Sequence, residues 1–323
     1  MNYSFGNAQH IGARSSQQDA FGFSNPFDTE FVRHGGLLAA LADGMGGLSH
    51  GDEASRVALT TFLSAYKRKT PEESVGAALE RSLLEANTAV CGLAGRRNAS
   101  GQLGTTFVAA VLHEGGLQWV SAGDSGLFLY RGGEFIPINV PHTYAQDLDA
   151  RAAAGDISPD AALADPQRDA LTSFLGLPAI ARIDRSVRPL PVGPADDIVL
   201  ASDGLFKTLS PAEMARAMTG TLQQRCEALV RAVVERRSEH QDNVTVLALA
   251  ARAETTLPAT VRAAPDGPRS ARWPWALAAA LVLAITAAVG ATSLIYCCVP
   301  PIAMPEAPSA PSLPPVKKEV KKR

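Results

Sequence analysis

The chain has 323 residues, of which 46% are hydrophobic and 19% charged, and its net charge is −2. These values fit a globular protein with a substantial core, long enough for one large domain or two ordinary ones. With no basic stripe, they give no reason to propose a nucleic-acid partner.

In chain order, the first twenty residues are polar and lack the apolar stretch of a secretory signal, so the bulk of the protein is expected in the cytoplasm. Apolar positions recur every three to four residues over Glu53–Arg68 and Glu72–Leu93, which predicts two helices. Thr105–Leu112 and Leu117–Ser121 read as strands around a turn at His113–Gly116, with Trp119 placed as a core residue. A second hairpin joins Leu127–Tyr130 to Phe135–Ile138, and further strands are expected at Ile198–Ala201 and Val244–Leu249. Between the last two, Pro211–Met218 and Leu222–Arg236 have helical spacing. Pro71 and Pro211 fit helix starts, each preceded by Thr70 or Ser210 as a capping side chain. Asp196-Asp197 reads as a solvated turn, and Asp52-Glu53 as the acidic start of a helix. Hairpin-linked strands with helices bunched elsewhere argue for an α+β fold with antiparallel sheets.

Composition changes sharply near residue 252. Residues 253–272 are rich in Ala, Thr, Pro and Arg without a steady period and read as a linker. Residues 273–299 then run without a charge, long enough to span a bilayer, with Trp273 and Trp275 at one end and Tyr296 at the other. The last segment, 300–323, is Pro- and Lys-rich and is expected to be a disordered tail. Arg262, Arg269 and Arg272 lie just before the span, which places the large domain, residues 1–252, on the cytoplasmic side of a single-pass cell (inner) membrane protein. The four cysteines, Cys91, Cys226, Cys297 and Cys298, lack CxxC spacing and suggest neither zinc nor a disulfide framework.

The chemistry lies in a set of aspartates followed at once by small or amide residues: Asp19, Asp43, Asp124, Asp203 and Asp242. Four of them adjoin apolar runs that read as strands, and residues at strand ends can converge from distant parts of a chain. Clustered carboxylates repel one another, so a buried group of them needs cations or protons. An all-oxygen set without Cys or His favours Mg or Mn over Zn.

Eight landmarks in order carry a resemblance over about residues 6–250. They are Gly12-Ala-Arg-Ser-Ser-Gln-Gln-Asp19, Ala42-Asp-Gly-Met-Gly-Gly47 with Gly51-Asp-Glu-Ala-Ser55, Gly104-Thr-Thr106, Gly123-Asp-Ser125, Pro141-His-Thr143, Leu171–Gly176, Ser202-Asp-Gly204 and Asp242-Asn-Val-Thr245. The sequence resembles the bacterial PPM-type (type 2C) metal-dependent serine/threonine protein phosphatases. That resemblance implies a two-sheet antiparallel β-sandwich flanked by helices, with two Mn or Mg ions at one end. Carried over by position, Asp43 bridges the ions and the Gly44 carbonyl helps hold the second. Asp203 and Asp242 complete the first ion's shell, Asp19 serves the second, and Asp124 with Asp203 corresponds to a third, weaker site. Arg14 corresponds to the phosphate-binding arginine, a role suited to a guanidinium's paired donors.

The implied activity is hydrolysis of phosphoserine and phosphothreonine in proteins by metal-activated water, opposing a serine/threonine kinase. Direct attack by water explains why no Ser or Cys nucleophile motif is present. Two residues depart from the family pattern: Gln17 stands where Asn is usual, and Gly126 where Arg is usual, with a loosened Asp124 as the expected consequence. They are the support for an alternative, a catalytically silent phosphoprotein-binding scaffold. His142 has a loop-structural reading and, against it, one as a substrate contact or proton donor.

Overall fold

The computed structural model describes residues 2–45 and 50–252. The expected linker (253–272), membrane span (273–299) and tail (300–323) lie outside the described residues, as do Gly46 and Gly47 of the glycine loop. Among the described residues, no helix is long and apolar enough to cross a membrane.

The elements begin with β1 (Asn2–His10), β2 (Asp19–Phe23), α1 (Thr29–Gly35), β3 (Leu37–Met45), α2 (Gly51–Tyr66) and α3 (Val75–Arg96). They continue with β4 (Gly104–Thr105), β5 (Phe107–His113), β6 (Gly116–Ala122), β7 (Gly126–Arg131), β8 (Glu134–Pro137), α4 (Tyr144–Ala153) and α5 (Pro159–Ala164). The last are β9 (Asp184–Arg185), β10 (Leu190–Pro191), β11 (Asp197–Ala201), α6 (Asp203–Phe206), α7 (Pro211–Ala217), α8 (Leu222–Val234) and β12 (Val244–Arg252). One sheet has the order β1-β12-β11-β7-β8 and the other β10-β6-β5-β3-β2, with β4 added beside β3 and β9 beside β6. The α+β sandwich expected from the sequence is the fold observed.

Strand periodicity explains the layering. Successive side chains of a strand point to opposite faces, and the central strands are apolar on both. In β3, Leu37, Ala39 and Leu41 join β12's Leu247 and Leu249 in the core between the sheets. The alternate residues Leu38, Ala40 and Ala42 face outward onto Ala54, Ala58 and Phe62 of α2. On the opposite side, Val244, Val246 and Ala248 of β12 meet Cys226, Leu229 and Val233 of α8. A strand buried on both faces becomes a continuous apolar run, which is how β12 and β5 read in the sequence.

The helix starts follow capping chemistry. Pro211 is in the first turn of α7, behind a reciprocal capping box between Ser210 and Glu213, and α8 has the same device in Thr221 and Gln224. Pro71 does not start a helix. α3 begins at Val75, where the Ser74 hydroxyl accepts from Ala77 N at 3.2 Å. The strand expected over Thr105–Leu112 is broken at Thr106, because β4 pairs with the end of β3 and β5 with its body. Asp196 and Asp197 are not solvated. Asp197 is fully buried and ion-pairs with Arg225 of α8 and Arg252 of β12, while Asp196 takes Arg131 Nε and Nη2 at 3.0 and 2.7 Å. These partners lie 28, 55 and 65 residues away, beyond the reach of a local reading.

Phe62 is fully buried, with its ring centroid 4.6 Å from that of Phe107. Phe62→Ala should lower unfolding free energy by about 3–5 kcal/mol, whereas Val187→Ala, at a side chain 98% exposed, should stay within about 0.5 kcal/mol of wild type. Urea unfolding measures both, and equal effects would contradict this packing.

Candidate active site

Both sheets end at a common cleft of ≈ 530 Å³, and four of the five sequence-predicted aspartates line it: Asp43, Asp124, Asp203 and Asp242. Asp19 lies beneath them. It opens β2 directly opposite Asp43 in the β2–β3 register, so one antiparallel pair delivers two carboxylates to the same place. Asp203 is the first residue of α6, immediately after β11, and Asp242 lies two residues before β12. Asp124 sits in the tight turn between β6 and β7. Arg14 reaches the cleft from the β1–β2 loop.

That loop is anchored by Asn243, which sequence reasoning missed as a structural residue. Its amide nitrogen donates to Ile11 O (2.8 Å) and Ser16 O (3.1 Å), and its Oδ1 accepts from Gln18 N at 2.7 Å. Ala13 N adds a bond to Gln241 O at 2.8 Å. Gln17 Oε1 accepts from Asp19 N at 3.0 Å and its Nε2 donates to His10 O at 3.3 Å, so this departure from the family pattern still braces the loop before Asp19.

The backbone at Gly44 is pressed against its neighbours. Gly44 N donates to Gln18 O at 3.2 Å, and a Cβ on Gly44 would lie 2.1 Å from Gly51 O, so no other residue fits. Thr106 N and Thr105 Oγ1 both donate to Asp43 O, at 2.9 and 2.8 Å, which fixes the end of β3. Gly126 is also explained by space. A Cβ there would lie 2.4 Å from Phe128 Cε2 and 3.0 Å from Phe206 Cε1. The expected loosening of Asp124 is not seen, because other groups hold its turn. Thr106 Oγ1 and Ser125 Oγ are 2.6 Å apart, and Asn139 Nδ2 donates to Ser125 O at 2.9 Å. His142 has the loop-structural role: its Nδ1 accepts from Gly123 N at 3.1 Å, and burial pushes its pKa below the ordinary value. Asp52 and Glu53, in the first turn of α2, pair with Arg56 and Arg97.

Electrostatics dominate the site. Burial, then repulsion from Asp19, Asp203, Asp124 and Asp242, raises the Asp43 pKa well above that of an ordinary carboxyl. Asp19 is pushed up to about 6, chiefly by burial, although Thr245 Oγ1 (2.7 Å) and Ser202 Oγ (2.9 Å) donate to its Oδ2. Its other oxygen, Oδ1, is buried without a hydrogen-bond partner among the described residues. Two protein cations answer part of the charge. Arg14 Nη2 lies 2.7 Å from Asp242 Oδ2, and Lys207 Nζ lies 2.6 Å from Asp203 Oδ2 and 3.6 Å from Asp124 Oδ2. Burial disfavours the Lys207 charge, but Asp203 and Asp124 outweigh it and hold its pKa above the usual lysine range. Sequence reasoning missed Lys207, although its i, i+4 spacing from Asp203 was a signal. It also missed Asp169, which lines the cleft from the segment after α5.

With Asp242 and Asp203 engaged by Arg14 and Lys207, no three carboxylates among the described residues close round one point as a single ion's ligands. The donor set nevertheless fits hard divalent cations. It is all oxygen, it has the unsatisfied Asp19 Oδ1 at its floor, and its charge exceeds what the two protein cations neutralise.

Comparison with known proteins agrees with this geometry. The family described as Protein phosphatase 2C matches residues 7–236. The serine/threonine phosphatase Stp of Listeria innocua is 27% identical over 215 residues, covering 65% of this chain and 82% of its own. Protein phosphatase PhpP of Streptococcus pneumoniae is 29% identical over 218 residues, covering 66% and 85%. The crystal structure of the PPM Ser-Thr phosphatase MsPP from Mycobacterium smegmatis, in complex with cacodylate, superposes with a TM-score of 0.61 at 28% identity, covering 76% and 97%. The chain belongs to the protein phosphatase 2C family. It is a serine/threonine protein phosphatase, an enzyme acting on phosphoproteins.

An aspartate with a raised folded-state pKa holds its proton more tightly folded than unfolded. For Asp19 the stability penalty therefore grows as pH rises from its ordinary 3.8 and is complete above about 6. With chelator present, Asp19→Asn should raise Tm by about 2–8 °C at pH 7.5 and leave it nearly unchanged near pH 4. A lower Tm for the variant at pH 7.5 in a thermal melt would contradict the charge crowding.

Proposed function

We propose that this chain is a metal-dependent phosphatase that hydrolyses phosphoserine and phosphothreonine at the aspartate cleft, with two Mn or Mg ions held by Asp19, Asp43, the Gly44 carbonyl, Asp203 and Asp242. The observation that carries this reading is the Asp19–Asp43 pair, a buried carboxylate opposite one that lines the cleft, crowded by three further aspartates and with Asp19 Oδ1 lacking a partner among the described residues. Divalent ions there supply counter-charge to phosphoryl oxygens and acidify water near neutral pH.

The chain's own groups do the rest. Arg14 is more than half exposed at the cleft mouth, where its paired donors meet the dianionic phosphate and its bond to Asp242 is exchanged for one to substrate. Asn243 and Gln17 keep the Arg14 loop in place, so the guanidinium arrives oriented. Thr105 and Thr106 hold the end of β3, fixing Asp43 against Asp19. The silent-scaffold alternative finds no favouring observation, since Gln17 and Gly126 are both accommodated by the fold.

In the cell, the uncharged segment 273–299 would anchor the enzyme in the cell (inner) membrane with its catalytic domain cytoplasmic, opposing a serine/threonine kinase. Anchoring raises its effective concentration toward membrane-bound phosphoproteins.

The full chain in detergent, given a phosphothreonine peptide and Mn, should release phosphate, and chelator should abolish the release. Asp43→Asn/Asp242→Asn should lower kcat/KM by a factor on the order of 10³ or more, equivalent to about 4 kcal/mol, while Arg14→Ala should act more on KM than on kcat. Full activity under chelation, or in the double variant, would overturn the metal-dependent reading. Full-length protein should also sediment with membranes and resist carbonate extraction; release by carbonate would overturn the anchor.

A further inference from the structure

Within the cleft, Lys207 is placed unlike an ordinary surface lysine. It follows α6 directly, and its backbone N–H donates to Asp203 O at 2.9 Å, so the last turn aims its stem back over Asp203. Its ammonium then lies 2.6 Å from Asp203 Oδ2 and 3.6 Å from Asp124 Oδ2. Those two carboxylates come from separate elements, the β6–β7 turn and the start of α6, and Lys207 is the cation that joins them. Asp124 is buried and makes no other ion pair among the described residues.

We infer that Lys207 is a built-in counter-charge that occupies the place of a third divalent ion between Asp124 and Asp203, limiting this enzyme to two ions. The inference rests on the two-ion reading above. Its physical basis is simple exclusion. A divalent ion shared by Asp124 and Asp203 would sit within a few ångströms of the ammonium, where like charges repel strongly in a partly buried site. The ammonium also supplies in advance the neutralisation that such an ion would bring. Residue 126 is a glycine crowded by Phe128 and Phe206, so that position offers no cation to Asp124.

Mn(II) titration of the chelator-treated full chain in detergent, followed by the electron paramagnetic resonance signal of free Mn(II), tests this directly. Wild type should bind two ions, with no third up to millimolar Mn(II). Lys207→Met should bind three, the third at least tenfold tighter than any third site in wild type. Lys207→Met/Asp124→Asn should return to two, and Lys207→Arg should stay at two. Lys207→Gln, which keeps a polar head, is read in the same way should Met disturb folding, as judged by circular dichroism. Two ions in wild type with the same stoichiometry in Lys207→Met and Lys207→Gln, or three ions in wild type, would overturn the role of Lys207 alone. A wild type that binds no Mn(II) would remove the two-ion reading and this inference together.

Discussion

The repulsion among five aspartates at one end of the sandwich organises this molecule. Asp19 and Asp43 face each other across a strand pair, and Asp124, Asp203 and Asp242 crowd in from three other junctions. Such a group is stable only if something offsets its charge. The fold offers partial answers: hydroxyls of Ser202 and Thr245 on Asp19, Arg14 on Asp242, and Lys207 on Asp203 and Asp124. None of these reaches Asp19 Oδ1. The strands that carry these carboxylates are packed on both faces, against the opposite sheet and against helices.

That constraint connects structure to activity. A phosphate monoester dianion would be repelled by a cleft lined with aspartates, and water attacks it slowly without help. A site that both attracts the dianion and activates water must therefore carry more positive charge than Arg14 and Lys207 bring. In the proposed reading, the same carboxylates that crowd the folded protein would hold divalent ions that supply the remaining charge. Membership of the protein phosphatase 2C family and the geometry of the cleft thus agree.

The sequence showed the aspartates and the central strands because both depend on local pattern. β12 and β5 are apolar on both faces, and four of the five aspartates sit beside an apolar run. β1 was not legible, since Asn2–His10 mixes Ser, Gly, Asn and Gln. It becomes a strand by pairing with β12 along the sheet edge. Asp196 and Asp197 were misread as a turn because their arginine partners are distant in the chain. Gly126 read as a defect beside Asp124, when the rings of Phe128 and Phe206 occupy the space a side chain there would take. Asp169 gave no signal at all; the segment after α5 brings it to the cleft lining. Lys207 did give one, in its spacing from Asp203, but its contact with Asp124 exists only in the folded chain.

The central claim is that the carboxylates around Asp43 are arranged for two divalent ions. Anomalous diffraction at the manganese edge, from crystals of the protein soaked in Mn(II), tests it most directly. Two peaks should appear in the cleft, both adjoining Asp43, one toward Asp19 and the Gly44 carbonyl and the other toward Asp203 and Asp242. A cleft without anomalous density at saturating Mn(II), or ions bound only at groups elsewhere, would contradict the account.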